Sequence, residues 1–545
     1  MAEGPPRGEG DPLSDTKPVE RRITLADEGS RLVGRNVLAN FVTYALNACI
    51  AIWFTRYLLD HLGTACYGLV PLAMNFNEYM AIFTVAFSSA VGRYLTMELA
   101  RGDDAQTNRT FNTALFGMGA LLVCVLPVGL VVALSARWLI NIPPEAVQDS
   151  QWLFVSTISA FGVWALSSCF AVSLFARSRF DLRGGISAFG MVARVALVVV
   201  LFSLGRPQLA AVGLGIVANA VLVLLAHVWT WRWLTPHLRV RLSDFDRRRL
   251  REILLMGGWV SVAQLGNLLF TQIDLLLVNI LAGAEWAGRY APLLQWSTTL
   301  RTLAGMLSVV LTPTIIACYA LSETGRLIRI TRMAMTVLGL GLAVCVGLIC
   351  GMGRSLLRVW LGESFVELTP LLWTLTGALA VNLCVLPLLS IQQAANRVAW
   401  PGITTVALGV ANVALGWTFA GPLGHGAYGV ATAGLICFSL RNAVYNTYYT
   451  SRILGLRWTA FGMPLLRTAL FTAVVAALGW GASELFSPTR WPHFLGCAAL
   501  VTVVALAIAG TIGLSGEERK WLMQIVRRGE RLGGAAQSPP KSAAG

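Results

Sequence analysis

The sequence predicts an all-α polytopic membrane protein, with about fourteen transmembrane helices set out as two parallel six-helix repeats plus two extra C-terminal helices. Three observations carry that expectation: too little charge for a water-facing surface, fourteen long apolar runs, and internal self-similarity. Of the 545 residues, 56% are hydrophobic and 13% charged, whereas a soluble domain carries about a quarter charged residues. A soluble enzyme, a secreted disulfide scaffold and a disordered chain all fit this composition poorly. The ten cysteines lie mostly inside apolar runs without a CxxC pair and read as small hydrophobes.

The elements follow in order. Residues 1–33 form a basic cytoplasmic N-terminal tail whose first part, rich in Gly, Pro and charge, is expected to be disordered. An N-terminal lobe, 34–235, holds six runs of the length a bilayer needs: 34–59, 66–91, 111–135, 151–176, 184–205 and 208–231. The first is too long for a cleaved signal peptide and lacks a small-residue cleavage site. A basic linker, 236–251, leads to a C-terminal lobe, 252–450, with runs 252–281, 290–316, 333–351, 366–390, 399–419 and 427–450. The segment 451–514 adds 464–486 and 493–514. Residues 515–545 form a cytoplasmic tail that starts with a basic amphipathic stretch, Glu517–Leu532, suited to a membrane surface. Trp138, Trp231, Trp491 and Tyr448, near span ends, read as interfacial anchors.

Lys and Arg exceed Asp and Glu to give a net charge of +15. Sorted by loop, 31 of the basic residues fall in the two tails and the even-numbered loops, and six in the odd-numbered loops. Over short loops that asymmetry orients a membrane protein, and it places both termini in the cytoplasm. In this context the positive charge does not point to nucleic acid.

The two lobes resemble each other. Leu62-Gly63-Thr64-Ala65-Cys66-Tyr67-Gly68 matches Ala282-Gly283-Ala284-Glu285-Trp286-Ala287-Gly288 at an offset of 220, and at that offset Asn75 meets Gln295 and Arg177 meets Arg397. Arg137-Trp138-Leu139 matches Val359-Trp360-Leu361, and the hexapeptide Val192–Leu197 matches Val410–Leu415, setting Arg194 against Asn412. Ala211-Val212-Gly213 then matches Ala427-Tyr428-Gly429. Six spans separate the copies, an even number, so both have the same topology.

Several of these stretches resemble a known family. Thr55-Arg56-Tyr57-Leu58-Leu59-Asp60-His61-Leu62-Gly63, with Tyr67-Gly68-Leu69, looks like the entry motif of Wzx-type polysaccharide flippases, such as those for O-antigen. These belong to the superfamily that contains MurJ-type lipid II flippases and MATE exporters. Gln272-Ile273-Asp274, Ala287–Ala291, Leu311-Thr312-Pro313, Trp360-Leu361-Gly362 and Gly426–Ala431 are similar to the second lobe of such proteins. The resemblance covers roughly residues 30–515. It implies a two-lobed, V-shaped carrier in a bacterial inner membrane, with two added C-terminal helices. Its implied cargo is a polyprenyl-diphosphate-linked oligosaccharide, moved outward for lipopolysaccharide or other surface polysaccharide assembly. The implied partners are that glycan, membrane lipid and other assembly proteins.

Charges inside the spans are the candidate site. An Arg or Asp at a span centre costs about 2.5–3.5 kcal/mol on insertion scales, so it usually faces a polar cavity or a partner. Arg194, Arg301, Arg56 and Arg441 outnumber Glu78 and Asp274 and leave two cations over. A guanidinium binds phosphate bidentately and stays charged, which suits a diphosphate; pairing between helices is the alternative. Glu78, in the polar passage Asn75-Phe76-Asn77-Glu78, is a candidate for coupling to H+ or Na+, or else a permanent salt bridge to Arg194 or Arg301. Asp274 and Gln295 complete the polar set; Asp274 either orients a helix end or pairs with Arg301.

Other signals carry no chemistry. Gly213-Leu214-Gly215-Ile216-Val217-Ala218 fits GxGxxA inside an apolar span, where small residues serve close packing rather than a nucleotide. His61, His227, His237, His425 and His493 lack metal-ligand spacing, and no P-loop is present. A MATE-like drug or metabolite exporter shares the expected fold but would carry more carboxylates. A membrane glycan polymerase or ligase would need catalytic side chains gathered on a large loop, and the longest odd-numbered loops are short and lack His.

Overall fold

The computed structural model describes residue 40 and residues 42–101, 103–177 and 179–513. The N-terminal tail and the amphipathic C-terminal stretch lie outside these residues. The described chain is helical with no strand, as lipid demands of a backbone that must satisfy its own polar groups. The first half contains α1 (Val42–Leu62), α2 (Thr64–Arg101), α3 (Asp104–Leu134), α4 (Val147–Ala176), α5 (Phe180–Leu204) and α6 (Leu209–Leu234). The second contains α7 (Arg247–Thr271), α8 (Ile273–Ala282), α9 (Ala284–Ala320), α10 (Thr324–Gly351), α11 (Gly353–Trp360) and the short α12 (Thr369–Thr376), α13 (Leu379–Leu383) and α14 (Leu386–Ala394). It ends with α15 (Ala399–Ala420), α16 (Gly426–Ser439) and α17 (Thr447–Ile453); α18 (Gly462–Phe486) and α19 (Trp491–Ile508) follow.

Among the described residues, ten helices are long and apolar enough to cross a membrane, or up to twelve if each of two bent pairs counts as one span. The other two apolar runs, 66–91 and 427–450, are helical but interrupted by polar residues. Asn75, Asn77 and Glu78 sit in α2, and Arg441 and Asn442 sit in the π-helical turn Leu440–Asn446 between α16 and α17. The run expected at 366–390 includes the crossing helix Glu363–Leu383, in which turns mark off α12 and α13; α14 follows, with Pro387 in its first turn.

The repeat is visible in backbone detail. Gly63 joins α1 to α2 at φ +76°, and Gly283 joins α8 to α9 at φ +95°. A left-handed residue lets one helix stop and the next begin within a single residue, which favours glycine. A break between α7 and α8 bends the chain by 44° at Gln272. The Gln272 carbonyl accepts hydrogen bonds from Asn75 Nδ2 at 3.1 Å and Tyr79 Oη at 2.8 Å, so α2 of the first half caps the broken helix of the second. A second bend, of 45°, falls between Val309 and Leu311 in α9, just before Pro313, which offers no N–H to the helix.

Small residues set the helix contacts. A Cβ on Gly213 would lie 2.9 Å from Ser156 Cβ, and one on Gly215 2.6 Å from Val198 Cγ2, so this glycine run packs α6 against α4 and α5. The C-terminal α18 lies along α10 in the same way: a Cβ on Gly347 would come 2.6 Å from Val475 Cβ, and α19 packs on both. One sequence expectation is corrected. Trp231 is not an interfacial anchor; it is 2% exposed and stacks on Phe111 at 5.2 Å, because α3, α4 and α6 converge there. The linker is pinned beneath α3: Asn112 Nδ2 donates to the Arg239 carbonyl at 2.8 Å, and Asp246 caps α7.

Candidate functional site

Between the halves lies a chamber in two connected parts, about 610 Å³ and about 330 Å³, which share Ala51, Met191, Gln295 and Thr298. Helical spacing decides what faces it. From α5 come Arg183, Ser187, Met191 and Arg194; from α6, Asn219, Val223 and His227; from α9, Gln295, Thr298, Thr299 and Thr302. Each set recurs at steps of three or four and so occupies one face of its helix. Arg183 and Arg194, eleven residues apart, stand about 16 Å from each other along the same wall. Arg183 is near the end of the protein that carries the basic loops, and Arg194 is deep.

Arg194 approaches the Phe54 ring at 5.9 Å, and its buried Nε has no hydrogen-bond partner among the described residues. Among the described residues, neither Arg183 nor Arg194 has a carboxylate within ion-pair distance, and no Asp or Glu lines either part of the chamber. His227, beside Arg183, shares a 2.8 Å hydrogen bond between Nδ1 and Ser167 Oγ. Gln295 accepts from Thr55 Oγ1 at 2.9 Å. Asn75 lines the deeper part while holding the Gln272 carbonyl. The wall is therefore cationic and rich in hydroxyl and amide groups.

The end opposite the basic loops is shut by a tight seam. A Cβ on Gly68 would fall 2.6 Å from Gly288 N, and one on Gly288 would meet the Thr64 carbonyl. The two glycines matched by sequence at an offset of 220 thus touch each other where α2 crosses α9. Beside them, Trp360 Nε1 donates to the Ile52 carbonyl at 2.8 Å, and Arg56 donates to the Leu361 carbonyl. Asn141 N donates to Asn279 Oδ1 at 2.8 Å, and Asn279 Nδ2 returns a bond to the Asn141 carbonyl at 3.1 Å.

The profile of the family described as polysaccharide biosynthesis protein matches residues 33–318. An uncharacterized membrane protein of Bacillus subtilis (strain 168), EpsK, is 30% identical over 501 residues, covering 90% of this chain and 98% of that protein. The chain belongs to the polysaccharide biosynthesis protein family. Its fold is shared with solved transport proteins. A lipid II flippase MurJ in an inward closed conformation aligns with a TM-score of 0.64 at 12% identity, over 87% of this chain and 98% of that one. An inward-facing multidrug resistance MATE transporter aligns at 0.56 and 16% identity, over 77% and 98%. This member of the family is accordingly an integral membrane protein whose fold is shared with MurJ and MATE proteins.

The remaining residues singled out from the sequence are dispersed in this family member. Arg301 and Arg441 lie inside the second half rather than on the chamber wall. Arg301 sits 4.0 Å from the Phe438 ring and donates to the Phe270 carbonyl at 3.4 Å; Arg441 Nε donates to Thr405 Oγ1 at 3.0 Å. Asp274 is 5% exposed and shares a small cavity of about 20 Å³ with Arg301, yet its hydrogen bond comes from Asn412 Nδ2 at 3.4 Å. Arg56 is paired with Asp60 at 2.8 Å and belongs to the seam. Asn77 is buried, and neither of its side-chain polar atoms has a hydrogen-bond partner among the described residues. Glu78 is exposed on α2, lines neither part of the chamber, and has no ion pair with Arg194 or Arg301. Arg183, His227, Asn219 and the α9 threonines were not singled out from the sequence. Arg183 lies just outside the apolar run 184–205, and the regular spacing of Gln295, Thr298, Thr299 and Thr302 is the signal the sequence offers.

Proposed function

We propose that the chain is a flippase that carries a polyprenyl-diphosphate-linked oligosaccharide across the bacterial cytoplasmic membrane by alternating access, with both termini in the cytoplasm. The observation that carries this reading is a chamber wall bearing Arg183 and Arg194 with no lining carboxylate among the described residues. A guanidinium fork at each of two depths of the chamber offers a diphosphate successive bidentate contacts as it moves along the wall, and hydroxyl and amide groups on α1, α6 and α9 match sugar hydroxyls. A chamber for cationic drugs would need the opposite charge, so the balance disfavours a drug exporter. The apolar polyprenyl tail stays in lipid while the head group crosses. The cycle then consists of breaking the Gly68–Gly288 seam and closing the end with the basic loops.

The test is reconstitution into liposomes that contain a fluorescent polyprenyl-diphosphate glycan in one leaflet. Protein-dependent loss of leaflet asymmetry is the expected result, and a rate equal to protein-free vesicles rejects the proposal. We further propose that Glu78 couples the cycle to H+ or Na+, since its carboxylate stands in the polar passage of α2 with no ion-pair partner among the described residues. Glu78→Gln is expected to flatten the pH dependence of transport while membrane insertion is unchanged. A pH series that is superimposable on wild type would remove Glu78 from that role.

A further inference from the structure

A second cavity, about 510 Å³, lies at the sealed end, away from the chamber, between α10, α11, the start of α12 and the C-terminal turns of α18. Its walls carry Trp373 and Trp480, 47% and 60% exposed, and between them a set of polar groups of both kinds. Two Arg and two Glu line it, so the formal charge cancels. Arg358 is engaged by Glu363 at 2.7 and 2.9 Å, and Glu367 is engaged by Arg289 at 2.8 Å. Arg354 and Glu484 have no such partner among the described residues. One unengaged donor fork and one unengaged acceptor therefore face a shared space walled by two indoles.

We propose that this cavity is a binding subsite for a neutral saccharide. A pyranose ring offers one apolar C–H face and a rim of hydroxyls that both donate and accept. Indole faces take the first, and a carboxylate with a guanidinium takes the second. The volume falls within the range of small-molecule sites, and charge cancellation separates it from the cationic chamber. Its location is also apt, because α11 contributes Arg354 and Ser355 to this cavity and Trp360 to the seam that must part. The subsite thus rests on the flippase reading for the origin of its sugar: it would receive glycan as the chamber releases it. Its occupancy does not depend on transport.

The test is direct binding to the full-length protein in detergent, using chitobiose, lactose and maltose as probes, read by saturation-transfer NMR and tryptophan fluorescence. At least one disaccharide is expected to bind in the millimolar range, with affinity reduced about tenfold by Trp480→Ala and by Glu484→Gln, and unchanged by Arg194→Ala. Glu484→Gln keeps the fold in play should Trp480→Ala fail to express. No binding of any probe up to about 50 mM overturns the subsite, as does binding lost only in Arg194→Ala. Displacement of the sugar signal by phosphorylethanolamine at lower concentration would reassign the cavity to a lipid head group and overturn the proposal too. Because the assay has no translocation step, these outcomes are separate from failure of the liposome assay.

Discussion

Arg194→Ala is expected to slow flipping of a polyprenyl-diphosphate glycan about 100-fold, because a charge-assisted, two-pronged contact to phosphate is lost in a low-dielectric chamber. Arg194→Lys should recover only part of the rate, since an ammonium keeps the charge but not the planar fork. The stability readout runs the other way. The Nε of Arg194 is buried without a hydrogen-bond partner among the described residues, so its desolvation is uncompensated. Arg194→Ala and Arg194→Met should therefore unfold at or above the wild-type Tm. A lowered Tm together with lost transport would make Arg194 a structural residue; wild-type flipping by the Ala variant would remove it from the substrate path.

Gly288→Leu is expected to bring transport close to the protein-free rate by a different route. Any Cβ at this position meets the Thr64 carbonyl, and Gly68 across the interface has no side chain to withdraw. Overpacking of this kind costs about 1–3 kcal/mol or more, which biases a two-state equilibrium by roughly 5- to 150-fold against the sealed conformation. Distances between spin labels placed on either side of the seam should lengthen in the variant. Gly305→Ala, on the same helix with open space around it, should transport normally. Unchanged label distances in Gly288→Leu would show that the seam yields without opening and that the glycine contact is not a gate.

These two positions show what could be read early. The repeat pairs Gly68 with Gly288 and Gly63 with Gly283, and the positive φ values of Gly63 and Gly283 show why glycine recurs there. A turn or a backbone contact demands a residue type locally, and that demand shows in the sequence. The charged candidates were harder to place. Arg194, Arg301 and Arg441 look alike as lone cations in apolar runs, yet Arg194 faces the chamber while Arg301 and Arg441 rest against Phe438 and Phe270 in the second bundle. Asn412, the repeat partner of Arg194, shows the asymmetry directly: it holds the Leu269 carbonyl at 3.0 Å inside its own half.

Hydropathy and self-similarity determined the helical membrane architecture, the positions of most helices and the duplicated frame, because lipid imposes a length and a backbone-bonding rule on any chain that crosses it. Tertiary structure decided which polar face of each helix turns inward. It brought Arg183, His227 and the α9 threonines together with Arg194, and it assigned Arg56 and Trp360 to the seam. The physical reason is that hydropathy is a property of one segment. A chamber wall is a property of helix rotation and crossing, set by contacts between residues hundreds of positions apart.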